Sequence, residues 1–256
     1  MTDPAGTRPP HAVRRTRRQF KLAVDRFGMI DEGETVVAGV SGGADSLALI
    51  HLLHWYNARR KKGWDIRAVH VHPGFEGWDS ARIGRACARL GVDLIERRID
   101  VPARIRATQY DSCFFCARER RKALFRTATE LGARRVALAH NMDDVNETFL
   151  MNLLMAASGT TFVPCQELFR GTLIVVRPLY YLDSGLIRRY LRSTGVRPVR
   201  NRCPFEKSGT RMVLRRFLKR LYRGDRRIRT NLFWGMHNLK PQYLPRAPRP
   251  GLDRSD

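Results

Sequence analysis

The chain has 256 residues, with 48 Lys and Arg against 24 Asp and Glu and a formal net charge of +24. This length carries one α/β domain with extensions, and 43 % apolar residues with 9 % aromatics support a hydrophobic core and exclude a wholly disordered basic chain. Such excess charge costs self-repulsion unless a polyanion neutralises it, which points first to nucleic acid, and no apolar run approaches the roughly 18 residues of a membrane helix.

Residues 1–18 are rich in Pro and Arg and read as a flexible basic arm carrying Arg14, Arg15, Arg17 and Arg18. The stretch lacks the apolar segment of a secretory signal, so a cytoplasmic protein is expected. Helical spacing of apolar residues predicts a lead-in helix over Gln19–Met29. Glu34–Val40 reads as a strand, Ser41–Ser46 as a glycine turn and Leu47–Trp55 as a strongly apolar helix. The alternation continues with strands at Ile66–His72, Asp93–Ile99, Arg135–Ala139 and Leu173–Val176. Helices are predicted at Ser80–Leu90, Glu119–Leu131, Asp143–Met155 and Ser184–Ser193. The pattern implies an α/β, Rossmann-like fold with a mainly parallel sheet flanked by helices. Three parts are expected: arm and lead-in helix (1–32), nucleotide domain (33–200) and C-terminal extension (201–256). In the extension, residues 211–229 hold nine Lys or Arg in nineteen positions. Val213, Leu214, Phe217, Leu218 and Leu221 fall on one face, which predicts a single basic amphipathic helix. Beyond Lys240 the chain is Pro-rich and reads as extended.

The turn Ser41-Gly42-Gly43-Ala44-Asp45-Ser46 joins a strand to a helix. Its glycines let backbone N–H groups face an anion, the helix dipole favours negative charge, and Ser41 and Ser46 add hydroxyls. Asp45 can hold Mg²⁺ against a pyrophosphate. The pattern is neither a kinase-type phosphate loop nor a dinucleotide fingerprint. The alternative is an ordinary βα turn.

Five cysteines, Cys87, Cys113, Cys116, Cys165 and Cys203, are too scattered for a disulfide framework. Cys113-Phe-Phe-Cys116 lies in a turn just before a helix, where the dipole and nearby cations favour thiolates. With Cys203 in Asn201-Arg-Cys203-Pro204 the pair forms a set of three. That set suits an iron–sulfur cluster with one open iron, a zinc site lacking an identified fourth ligand, or a persulfide-carrying thiol pair. Cys87 reads as packing and Cys165 has no assignment. Asp143 and Asp144, after a strand at the carboxyl edge of the sheet, can bind Mg²⁺ or act on a substrate proton. The plainer role is a helix N-cap, with Glu147 completing a capping box.

Together the phosphate loop, the C-x-x-C, the segment Ala139-His140-Asn141-Met142-Asp143-Asp144-x-x-Glu147-Thr148, Arg177-Pro178-Leu179 and the late N-x-C-P resemble the tRNA 2-thiocytidine synthetase family. These are iron–sulfur thiolases of the PP-loop superfamily, and the similarity runs from about Glu34 to Arg220. The resemblance implies an adenine nucleotide alpha hydrolase-like fold. It implies ATP bound by Ser41, Gly42, Gly43, Ala44, Asp45, Ser46 and His140, and a 4Fe–4S cluster on Cys113, Cys116 and Cys203 whose fourth iron takes sulfide. It also implies catalytic roles for Asp45, Asp144, Asp143 and the basic Arg120, with Mg²⁺ as the metal. Ala44 stands where the thiolating branch often has Lys. The uridine-thiolating branch has Lys where this chain has Arg120, together with zinc ribbons that this chain lacks, which favours the cytidine branch.

The expected reaction is attack of a pyrimidine oxygen on the α-phosphorus of ATP with loss of pyrophosphate, then replacement of AMP by sulfur. The base would be a cytidine of the anticodon loop. The sulfur would come from a cysteine desulfurase persulfide or free sulfide. Arg211, Arg215, Arg216, Lys219, Arg220 and Arg223, together with the basic arm, are expected to bind tRNA, and members of the family that the chain resembles are often homodimers. Competing readings are a cluster-free ligase of the lysidine synthetase type and a basic RNA-binding module.

Overall fold

The computed structural model describes residues 9–106, 112–199 and 210–243. The strands are β1 (Thr35–Gly39), β2 (Asp65–His72), β3 (Leu94–Arg98), β4 (Arg135–Ala137), β5 (Cys165–Leu168) and β6 (Leu173–Val176). They form one sheet in the order β3-β2-β1-β4-β6-β5. Every neighbouring pair is parallel except β5 on β6. The centre is buried on both faces, as near-continuous apolar runs in parallel strands require: Val36, Val37 and Ala38 of β1 and all four residues of β6 are buried.

The helices are α1 (His11–Arg26), α2 (Ala44–Arg60), α3 (Ser80–Ala88), α4 (Val101–Arg106), α5 (Ser112–Glu130), α6 (Met142–Ala156), α7 (Ser184–Ser193), α8 (Thr210–Gly224) and α9 (Arg227–His237). One core cluster joins Phe20 of α1, Leu47 and Leu53 of α2, Tyr190 of α7 and Phe233 of α9 beneath the sheet. A second, on the other face, sets Leu124, Phe125 and Ala128 of α5 against Val37, Val69, Val136 and Val175. No helix among the described residues is long and apolar enough to cross a membrane.

Four expectations change. The basic segment is not a flexible arm from residue 11 onward. It is α1, whose Val13, Thr16, Phe20, Ala23 and Val24 are buried; a helical apolar stripe was present but thinned by arginine. The predicted single basic helix is two, α8 and α9. The break falls at Gly224-Asp225, where the Asp225 carboxylate accepts from the Arg227 backbone N–H at 2.8 Å, a local bond that competes with helix continuation. The buried stripe of α8 is Leu214, Leu218 and Tyr222, whereas Val213 and Phe217 are exposed. Finally, α5 starts at Ser112, so Cys113 and Cys116 lie one turn apart inside a helix and not in a turn before it. The short, half-exposed edge strand β5 carried too little alternation to be seen in the sequence.

Candidate nucleotide and substrate site

In this strand order the chain reverses direction across the sheet between β1 and β4. Their carboxyl ends part there, which is where open α/β sheets bind ligands. β1 runs into the glycine turn at this crevice. Gly42 has φ +83, and a Cβ there would stand 2.8 Å from Ile83 Cγ1 and 3.2 Å from Val199 Cβ. Only glycine satisfies both the backbone and the contact. Gly43 is the N-cap of α2. The two serines brace the loop: Ser46 Oγ donates to Gly43 O at 3.0 Å and accepts from the Ser41 N–H at 3.2 Å.

A cavity of about 330 Å³ opens above the loop. Ser41, Gly43, Asp45, Ser46 and His140 line it, with Val69, Val71, Leu124 and Leu138 as an apolar wall and Arg120 and Arg121 at the side. An apolar slot beside an amide-rich anion cradle suits a purine nucleotide. Gly42 and Ala44 shape the loop without lining the cavity. The Arg120 guanidinium lies 5.8 Å from the Trp78 ring centroid.

His140 stacks on Phe162 with centroids 4.3 Å apart and accepts from Arg177 Nε at 3.4 Å through Nδ1. Burial, reinforced by the Arg177 charge, pulls its pKa down to about 3, so it is a neutral imidazole with its proton on Nε2. Arg177 is itself buried, donating to Val163 O at 2.6 Å and Gln166 Oε1 at 2.9 Å, and burial lowers its pKa to about 10. Sequence reasoning noted Arg177 within a motif but gave it no role in the site. The signal was an arginine immediately following a fully apolar strand.

The carboxylate pair opens α6. Asn141, not an aspartate, is the N-cap: its Oδ1 accepts from Asp143 N–H at 2.8 Å, while Asp144 Oδ2 accepts from Asn141 N–H at 3.1 Å. Asp144 therefore fills the capping-box position expected of Glu147, because the N-cap is Asn141 and the N3 residue of that cap is Asp144. Glu147 is nearly fully buried and takes a two-pronged bond from Arg215, with both contacts at 2.8 Å. Asp144 Oδ1 lies 3.6 Å from both Arg211 and Arg215. Asp143 accepts from the Ser184 N–H at 2.9 Å and lies 2.9 Å from Arg229 Nε, which ties α6 to α7 and α9. Two of the six expected RNA-binding cations, Arg211 and Arg215, thus face the acidic set. Lys219 and Arg223 line a neighbouring cavity, and Arg216 and Arg220 are exposed on α8.

That neighbouring cavity, of about 440 Å³, is polar. It contains Asp45, Asp143, Asp144 and Glu147 among Arg188, Arg215, Arg223 and Arg229. Asp45 borders both cavities. Burial, then the charge of Asp144, raises its pKa to about 6, and burial raises that of Asp144 as well.

Cys116 is half-buried against an apolar group of Phe75, Val101 and Phe115. The Cys113 side chain and Cys203 lie outside the described residues. The flanks of Cys203 are described: Val199 donates its N–H to Gly42 O at 2.9 Å, and α8 brings Arg211 to Asp144. Cys87 is fully buried, as expected of a packing residue, and burial lifts its pKa to about 11. Cys165 opens β5 and its thiol lies 3.5 Å from Phe27 O.

The model of the PP-loop domain family (ATP_bind_3) matches residues 13–221. The chain is 28 % identical over 236 residues to a tRNA-cytidine(32) 2-sulfurtransferase of Syntrophotalea carbinolica, covering 90 % of this chain and 91 % of that one. It is 30 % identical over 226 residues to the protein of the same name from Polynucleobacter asymbioticus, covering 87 % and 75 %. In fold it is similar to the U34-tRNA thiolase NcsA from Methanococcus maripaludis, solved with its [4Fe-4S] cluster. The TM-score is 0.69 at 20 % identity, over 88 % of this chain and 78 % of that one.

Proposed function

We propose, since the chain belongs to the PP-loop family and groups there with the tRNA-cytidine 2-sulfurtransferases, that it thiolates a tRNA cytidine at carbon 2 in two steps at the paired cavities. The observation that carries this reading is the position of Asp45 on the boundary between an apolar-walled nucleotide cavity and a polar cavity walled by carboxylates and arginines.

ATP occupies the first cavity. The amides and hydroxyls of Ser41–Ser46 hold its phosphates, and Val69, Val71, Leu124 and Leu138 enclose its base. A pyrimidine oxygen entering from the second cavity attacks the α-phosphorus. The new bond is oxygen to phosphorus, the bond that breaks is the one to pyrophosphate, and Arg120 and Arg121 offset the charge that builds. Neutral His140 can donate one hydrogen bond from Nε2 without adding a cation.

Mg²⁺ fits the donor set: burial, and after it the charge of Asp144, raises the pKa of Asp45, and a dication held by these carboxylates would offset both the burial of their charge and their repulsion. These two residues would hold it, and it would supply charge to the phosphates. A 4Fe–4S cluster fits the apolar wall behind Cys116 and the placement of two cysteines one turn apart at the head of α5. Cys113, Cys116 and Cys203 would hold it, and when bound it supplies a sulfur nucleophile for the activated carbon. Further support is that the segment with Cys203 leaves from Val199 at the phosphate loop and returns at the acidic set. The sulfur reaches the protein as free sulfide, or from a persulfide whose outer sulfur a second thiol releases as that thiol becomes part of a disulfide. In the second step the carbon–sulfur bond forms and the carbon–oxygen bond to AMP breaks.

The test is to incubate anaerobically reconstituted protein with unmodified tRNA, ATP and sulfide, following pyrophosphate and nucleosides by mass spectrometry. The expected result is tRNA-dependent pyrophosphate release and a 2-thiocytidine peak. Pyrophosphate release without any thionucleoside would move the chain to the cluster-free ligases.

A further inference from the structure

Beside the polar cavity, and sharing Tyr222 and Arg229 with it, lies a wider cleft of about 530 Å³. Three structural elements far apart in sequence wall it: α1 contributes Arg15, α7 contributes Arg189, and the turn between α8 and α9 contributes Arg226. All three arginines are exposed, and none makes an ion pair among the described residues. They contrast with Arg211, Arg215 and Arg229 next door, each committed to a carboxylate. The single carboxylate on the cleft wall, Asp183, accepts from the Leu186 N–H at 2.8 Å and lies 3.4 Å from Arg229, so its charge is already matched.

We propose that this cleft binds backbone phosphates of the substrate RNA strand immediately beside the nucleotide delivered to Asp45. The inference deepens, and rests on, the reading of the chain as a tRNA-modifying enzyme. Holding like charges together around open space costs free energy that an anionic occupant recovers. Each guanidinium offers a planar fork matched to a phosphate. The cleft has a volume of about 530 Å³ and its cations are spread over three elements, which suits an extended polyanion better than one small ion. Its continuity with the polar cavity through Tyr222 and Arg229 gives the strand direction: phosphates in the cleft, the splayed base beyond it at Asp45. Arg15 was expected on the basic arm and Arg226 in the basic stretch 211–229, whereas Arg189 was not singled out, and only the fold brings α1, α7 and the turn after α8 to one surface.

The test compares wild-type protein, the triple variant Arg15→Ala/Arg189→Ala/Arg226→Ala and a control triple Arg59→Ala/Arg85→Ala/Arg126→Ala. The control residues are exposed arginines lining none of the described cavities. Binding of a labelled tRNA transcript is measured by fluorescence anisotropy from about 50 to 200 mM salt. The cleft variant should bind about tenfold more weakly, with the slope of log Kd against log salt reduced by about 2, at ~0.7–0.9 per lost phosphate contact. Its ATP affinity by calorimetry and its Tm should match wild type. If the triple variant loses Tm, Arg189→Ala alone should still lower the slope by nearly one unit. The proposal is overturned if the cleft variant keeps the wild-type slope, or loses no more than the control does. A wild-type chain that fails to bind tRNA overturns the proposed function as well.

Discussion

Arg215 of α8 forks onto Glu147 of α6, Nε to Oε1 and Nη2 to Oε2, each at 2.8 Å. The bond raises the pKa of Arg215 and neutralises a buried carboxylate next to Asp144. It also makes α8 part of the site wall. Removing Arg215 leaves Glu147 without its main partner, and Arg211 at 3.5 Å compensates only in part. Arg215→Ala should cost about 2 kcal/mol in denaturant unfolding. The double variant Glu147→Gln/Arg215→Met should recover most of that stability without recovering thiolation. Full activity in the double variant would show that the pair is only structural.

Asp45 should weaken the fold that it serves. Its carboxyl titrates near 3.8 when unfolded and at about 6 in place, so the unfolded chain gives up its proton first. Stability therefore falls as pH rises through that window and stays low above it. Asp45→Asn lacks this penalty. In the ligand-free protein it should be about 2 kcal/mol more stable than wild type near pH 8, with the difference closing near pH 4, after a discount for solvent reaching the cavity. Thermal melts across pH check this; an equal gap at both ends would contradict it.

Gly42→Ala forces a left-handed backbone on alanine and sets its methyl against Ile83. The expected cost is about 1–3 kcal/mol of stability. ATP affinity, read by calorimetry, should drop more than the melting temperature suggests, because the amide cradle itself shifts.

Arg177 holds His140, Val163 and Gln166 together. Arg177→Lys keeps the charge but not the fork, so a loss of about 1–2 kcal/mol is expected. Burial is the larger cause of the low His140 pKa, so even Arg177→Ala should leave the imidazole neutral at pH 7. Nitrogen chemical shifts of His140 through a pH titration report this directly.

Among the cysteines, Cys116 should react with iodoacetamide in the native protein while Cys87 should not. Cys116 is half-buried, whereas Cys87 is fully buried with a pKa near 11. Peptide mass spectrometry before and after iron loading should show Cys116 protected only when iron is present. Unchanged labelling after loading would remove Cys116 as a ligand.

Motifs whose chemistry is local were legible in the chain. Gly42 and Gly43 needed only a preceding strand and a following helix to be read as an anion cradle, and the apolar strands announced a buried parallel sheet. The capping role of Asn141 was missed because helix starts shift by a residue without changing the pattern of apolar positions. The lead-in helix was expected from Gln19, but the first half of α1, residues 11–18, was missed because arginines crowd its exposed face, so composition hid a buried stripe that recurs every three to four residues.

Arginines are where sequence and structure divide most clearly. The excess of positive charge, the phosphate loop and the acidic pair are properties of the chain alone, since they depend on residue types and short spacings. Which arginines are spent on carboxylates and which stay open to an anion depends on distances between α1, α6, α7, α8 and α9. Arg215 and Arg216 are neighbours in sequence, yet one neutralises Glu147 and the other faces solvent. Adjacent helix positions point about 100° apart, and only packing determines what each direction meets.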